Sequence, residues 1–200
     1  MNKGALRTQF KNLLNRSDIT DTLSDTFIDQ GIARIQRTLR IPSMEKKQNY
    51  VVSASTTSIV LPSDFLEAID LYYDGRSLER IPMKEMQELK KNALNDAPLY
   101  FAREQSNFLL YPYPKTGTIS LNYYGQYADM TTDSDENQLA IVASDLIIYG
   151  ALTYASDYYL DERSELFEAK YRTYLSEVQQ QADDAELTGT LQTIRPAYTY

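Results

Sequence analysis

The stretch from Ser144 to Leu175, SDLIIYGALTYASDYYLDERSELFEAKYRTYL, decides the architecture. Its apolar residues recur every three or four positions, the spacing of a helix that buries one face. Upstream, Leu139 and Val142 join Leu146, Tyr149, Thr153 and Tyr154 in one stripe, so a helix from Gln138 to Tyr158 is expected. Gly150 in that helix allows a close neighbour. Asp135, with Gln138 three residues on, fits a capping box at its start. Asp161 can cap a second helix, with Glu162 and Glu165 in the first turn, where the helix dipole favours acid. Phe167, Tyr171, Tyr174 and Val178 carry this helix to about Leu187, before Gly189. At about 25 residues it is close to 40 Å long.

Working towards the N-terminus, the texture turns from helical to β. Ile119, Leu121 and Tyr123 alternate with Ser120, Asn122 and Tyr124, as in a half-buried strand. Pro112 and Pro114 keep Tyr113 extended and away from a central strand. Leu99 to Arg103 and Phe108 to Tyr111 read as a hairpin around Gln105, Ser106 and Asn107. A helix near 83–94 covers Met86, Leu89 and Lys90. Asp74-Gly75 is a strong two-residue turn signal after a strand from Leu66 to Tyr73 that is apolar enough to be buried. Tyr50 to Val52 read as a strand, Ser53 to Ser58 as a polar turn, and Ile59 to Leu61 as its return. Before them, Leu23, Phe27, Ile28, Ile32, Ile35 and Leu39 mark a long amphipathic helix, capped by Ser17, Asp18 or Thr20 and ended by Pro42. Leu6, Phe10, Leu13 and Leu14 mark a shorter one. The fold class is therefore α+β: mainly an α-helical bundle (4–40 and 137–187) with a long C-terminal helix and a β-rich insert (48–127). Residues 1–187 read as a single domain, and 188–200 as an extended C-terminal arm.

Composition narrows the chemistry. Twenty Lys and Arg against 28 Asp and Glu give a formal charge of −8, which argues against a generic nucleic-acid binder. With no His, the commonest general base and metal ligand is missing. With no Cys, there is no disulfide, thiolate nucleophile or thiolate metal site. No apolar run approaches the ~18 residues of a membrane span, and the N-terminus lacks a signal-peptide core. Three carboxylate groups (Asp133, Asp135, Glu136; Asp161, Glu162, Glu165; Asp183, Asp184, Glu186) fall at helix starts or on a polar helix face. Capping and solvation explain them better than hydrolysis, which needs two carboxylates facing across a cleft. Asp129, Asp133 and Asp135 lack the glycine and distal Glu of a calcium loop. The glycines form neither a P-loop nor a dinucleotide fingerprint. No catalytic residue, metal or cofactor is expected.

Two features remain. Seventeen Tyr are in excess, and Tyr suits surfaces that become buried only on assembly. Those on the last two helices could pack the helices together or touch a neighbouring copy. From Thr188 to Tyr200 the chain has one charged side chain, Arg195, among Thr, Leu, Ile and Tyr. A β-prone strip of this kind is an aggregation liability unless a partner covers it, and extended it reaches about 40 Å.

Four segments resemble the head-to-tail adaptor (connector) proteins of short-tailed bacteriophages. They are FIDQGIARIQRTLRIP (Phe27 to Pro42), SIVLPSDFLEAIDLYYDGRSLERI (Ser58 to Ile81), PLYFAREQSNFLLYPYPKTGTISLNYYGQY (Pro98 to Tyr127) and the opening stretch. The most specific parts are the LPSDF turn, the YPYP after the short hairpin, and IIYGALTYASDYYLDER. The resemblance covers about residues 20 to 178. It implies a structural virion protein at the head–tail junction, made in the host bacterial cytoplasm. Such adaptors form a ring, typically of twelve copies, beneath the portal protein, with the β part towards the next tail component, a nozzle or tail protein. DNA passes through the channel without specific binding during retention and ejection, and no membrane is involved. Ring contacts then fall on Tyr149, Tyr154, Tyr158, Phe167, Tyr171 and Tyr174. The portal-binding arm falls on Leu191, Ile194, Arg195, Pro196, Tyr198 and Tyr200. The competing readings are a non-enzymatic protein-binding module of a bacterial regulator and, further off, a cell-wall-degrading tail enzyme.

Overall fold

The described chain forms two compact units, residues 1–43 with 127–187, and Met44–Gln126. The computed structural model of the protein describes residues 1–187. Among these residues the protein is mixed α and β, with six α-helices and two four-stranded sheets.

The first unit is helical. Helix α1 (Lys3–Leu14) begins where the Asn2 side chain accepts the Ala5 N–H and ends at Asn15 in the left-handed conformation. Helix α2 (Asp21–Thr38) is capped by Thr20, whose hydroxyl accepts the Leu23 N–H at 3.2 Å. The expected Gln138–Tyr158 helix is two helices, α4 (Gln138–Val142) and α5 (Ser144–Tyr159). The chain breaks at Ala143 (φ −142°, ψ 56°), which rotates Ile141 and Val142 to the surface. Its cap is Asn137, accepting the Ala140 N–H at 2.9 Å, not Asp135. The Asp135 carboxylate is taken by the N–H groups and hydroxyls of Thr131 and Thr132. Helix α6 (Ser164–Leu187) starts three residues after Asp161, which accepts the Arg163 N–H at 2.9 Å.

Helix α5 is the centre of this unit, buried on several sides through Leu146, Ile147, Ile148, Ala151, Leu152 and Ala155. It meets α2 where Gly31 crosses Gly150. A Cβ on Gly31 would lie 2.8 Å from the Ala151 nitrogen and 3.0 Å from the Gly150 carbonyl carbon. Neither atom can move without moving the helix, so Gly31 is required by backbone approach. On α1, Leu6, Phe10 and Leu14 are fully buried against this core. Leu13, expected with them, is 40% exposed because three consecutive turns of one face use only its neighbours.

The second unit is a two-sheet sandwich with one helix on its far side. One sheet has the order β1 (Glu45–Val52), β8 (Gly117–Gly125), β3 (Phe65–Tyr73), β4 (Arg76–Ser77), and the other β2 (Ser58–Val60), β7 (Asn107–Tyr111), β6 (Tyr100–Glu104), β5 (Glu79–Arg80). Strand β1 (Glu45–Val52) is longer than its apolar residues suggest. Antiparallel pairing with β8 (Gly117–Gly125) extends it back through Glu45 opposite Tyr124. The expected return from β1 does not occur. Strand β2 (Ser58–Val60) crosses to the other sheet and pairs with β7 (Asn107–Tyr111), so Val52 and Ile59 enter one core from opposite sheets. Strand β3 (Phe65–Tyr73) is covered on one face only, with register shifts near Phe65 and Ala68. Asp74 and Gly75, both at positive φ, turn it into β4 (Arg76–Ser77) as expected. The expected hairpin forms between β6 (Tyr100–Glu104) and β7. The short β5 (Glu79–Arg80) runs parallel to β6. Helix α3 spans Met83–Leu89, shorter than 83–94, because Asn92, Asn95 and Pro98 favour turns over continued helix. Its Met86 packs with Ile81, Ala102, Leu109 and Tyr111 on the back of the second sheet.

Gly31→Ala is expected to lower the unfolding free energy by about 1–3 kcal/mol, although Ala is the better helix former. Urea denaturation checks this, and a variant as stable as the parent would contradict the Gly31–Gly150 approach.

Candidate assembly surfaces

The six aromatic positions expected at a ring contact divide by burial. Phe167 and Tyr171 are 6% and 2% exposed, so their surface is spent within their own chain. The Tyr171 ring lies under the Arg34 guanidinium, 4.2 Å from its centroid. Tyr149, half-buried, packs against Phe167 and Tyr174 with centroids 6.3 and 5.3 Å away, and its hydroxyl accepts from the Lys170 ammonium at 3.1 Å. Tyr154 is half-buried within reach of Arg37. Only Tyr158 is well exposed, at 64%, with one ring edge on Phe27.

Ion pairs fasten these helices together. Arg34 on α2 holds Glu168 on α6 through both guanidinium nitrogens, at 2.8 and 2.9 Å, and also donates to the Thr153 hydroxyl. This bidentate bond is the main force holding the Glu168 carboxyl below its ordinary range, against burial and with help from Arg172. Arg7 joins Asp25 on α2 to Asp133, so Asp133 is a clamp. Glu136 pairs with the Met1 amino group. Asp161 grips Arg163, whose guanidinium also donates to the Leu13 and Leu14 carbonyls. That side-chain bond, then the Arg163 N–H, holds Asp161 at about 2. Asp183 accepts from the Gln179 amide at 2.8 Å. Asp133, Asp135, Glu136, Asp161 and Asp183 are therefore in scattered structural use. Among the described residues no cluster of acids could hold a metal ion. No described helix is long and apolar enough to cross a membrane.

Two exposed features escaped the sequence reading. At the turn between α5 and α6, Leu160 is left-handed (φ 52°) and 89% exposed, with Leu166 51% exposed beyond it. Glu162 and Glu165 beside them are exposed and have no ion-pair partner among the described residues. The signal was present, since an apolar residue directly before a capping Asp breaks the rule that loop tips are polar. In the sandwich, Arg80, Ile81, Pro82, Met83 and Arg103 line a hollow of about 340 Å³. Arg80 has no ion-pair partner among the described residues, and Arg103 lies over the Phe65 ring at 5.3 Å. Here the signal lay in pairing: β5 is only two residues long, and nothing in its sequence announces that it joins β6.

The family comparison now bears on these surfaces. A family model described as SU10 adaptor protein matches residues 1–194. The chain belongs to the SU10 adaptor protein family. That is the phage head–tail adaptor the sequence motifs resemble. No curated protein matches the chain. Membership supports a structural role for this adaptor among the components of a virion, in contact with other virion proteins. The expected arm residues Leu191, Ile194, Arg195, Pro196, Tyr198 and Tyr200 lie outside the described residues of the adaptor.

The lowered carboxyls give the adaptor a definite pH response. Glu168 and Asp161 titrate lower when folded than when unfolded, so their contribution is full above the ordinary carboxylate range and is lost as pH falls. Thermal melting is therefore expected to hold near neutrality and fall below about pH 4. Glu168→Gln should flatten part of that fall, and a midpoint that rises on acidification would contradict these pairings.

Proposed function

We propose that the chain forms a ring, typically of twelve copies, that joins the portal vertex of a phage head to the tail. The observation that carries this reading is the family match over residues 1–194 of 200. The helices carry the ring, and the arm from Thr188 to Tyr200 docks on the portal protein. The next tail component, a nozzle or tail protein, binds below. The whole of residues 1–187 acts as one adaptor domain in this assembly, whose two units share the work of ring and tail contact.

Two physical features support the reading. Mutual repulsion among copies at −8 each discourages rings in free solution and favours assembly on a portal template. The same charge lines the DNA channel with like sign, so the genome slides during packaging, retention and ejection without being bound. With no His in the chain and with Asp133 and Asp161 tied into clamps, the reading is of a scaffold without catalysis.

Removing residues 188–200 is expected to leave the circular dichroism and melting of the helical and β units unchanged while portal docking disappears in a pull-down. Undiminished docking of the shortened chain would refute the arm assignment.

A further inference from the structure

The two exposed features described above complement one another in charge and in shape. The corner between α5 and α6 presents leucines flanked by free acids: Leu160 and Leu166 with Glu162 and Glu165. The hollow on the sandwich presents apolar walls flanked by arginines: Ile81, Pro82 and Met83 with Arg80 and Arg103. Its volume of about 340 Å³ admits a leucine side chain with room beside it. Ile81 belongs to the core on the back of the second sheet and Met83 packs against it, so that core forms the wall of the hollow. Leu160 closes the corner as the left-handed C-cap of α5, a conformation in which Gly is free and Leu is strained. Strain that exposes an apolar side chain is the kind a chain keeps for a contact.

The distribution of cations points the same way. Residues 44–126 carry nine Lys and Arg against ten Asp and Glu, while the rest of the chain carries 11 against 18. In the helical unit Lys3, Arg7, Lys11, Arg16, Arg34 and Arg163 are all committed to carboxylates of the same chain. In the sandwich, Lys47, Arg76, Arg80 and Lys84 have no ion-pair partner among the described residues. The contrast is local: Glu79 and Glu104 in the sandwich also have no ion-pair partner among the described residues, as do Arg37 and Lys170 in the helical unit, but the corner offers only Glu162 and Glu165 and the hollow is lined by Arg80 and Arg103.

We propose that the Leu160–Leu166 corner of one copy seats in the Arg80–Arg103 hollow of the next. The proposal rests on the ring reading and names a subunit contact within it. Knob and hollow are different surfaces, so the contact is head-to-tail and propagates from copy to copy, closing when the rotation permits. The leucines supply burial, and the opposed charges fix which surface meets which. The long-range repulsion between copies is then overcome only where the two patches face each other.

The chain has no cysteine, so introduced ones are unique. Leu166→Cys chains mixed with Met83→Cys chains under mild oxidation, free and on the portal, are expected to form the mixed disulfide. Its yield should exceed that of Leu166→Cys with a remote Val51→Cys control by about tenfold. Glu162→Arg with Glu165→Arg should abolish it, and Arg80→Glu with Arg103→Glu in the partner should restore it. Leu160→Gly should melt no lower than the parent, since it relieves the left-handed strain, yet lose most of the product. A yield equal to the control, no rescue by the swapped charges, or a full yield from Leu160→Gly would each overturn the contact. So would duplex DNA binding that Arg80→Glu with Arg103→Glu abolishes, because the hollow would then take phosphate. Portal capture by the same variants separates the two claims. Capture without the disulfide defeats this contact alone, and no capture by the unaltered chain defeats the adaptor reading.

Discussion

The approach of Gly31 to Gly150 is the constraint on which the helical unit depends. The two helices cross this closely because Gly31 carries no Cβ, whereas a Cβ on Gly150 would meet Gly31 at an ordinary 3.4 Å, and α5 uses the resulting depth to bury residues on several sides. Everything outside that crossing is arranged to keep it. Arg34 reaches from α2 past Thr153 to Glu168 and ties α6 on, while Arg7 ties α1 and the Asp133 turn to α2. The tyrosines then fill the seam between α5 and α6 with rings too large for a tighter packing. A backbone-to-backbone crossing leaves little side-chain slack to take up strain.

Much of this was legible in the sequence because the relevant signals are local. Gly150 within an apolar stripe announced a close neighbour, Asp74-Gly75 announced a tight turn, and alternation in Ile119, Leu121 and Tyr123 announced the buried face of β8. The misses have a common cause. Residues 138–158 carry an unbroken apolar period, and nothing local marks Ala143 as the break between α4 and α5. Asp135 had the right spacing for a cap, but Thr131 and Thr132 offered it four donors and Asn137 was better placed. Ile59 to Leu61 follows β1 after a turn, yet its partner is β7, because sheet choice in a sandwich is set by long-range pairing and not by the turn.

The assembly residues were legible only by type. Tyrosine excess left open whether the rings pack the last two helices together or meet a neighbouring copy, and it did not separate Phe167 and Tyr171, which their own chain buries, from Tyr158, which it leaves open. A residue's helical face can be read from its spacing; which neighbour covers that face cannot. The charge bias between the helical segments and the sandwich was visible in the sequence as a count. It gained meaning once pairing distances told committed cations from free ones.

The central claim is that this acidic chain assembles as a ring on a portal, and one measurement tests it most directly. Light scattering at physiological salt gives the mass of the purified chain alone and mixed with its portal. The expected result is a monomer that joins the portal as a complete ring of copies. A discrete dimer or tetramer, unchanged by the portal, would contradict it.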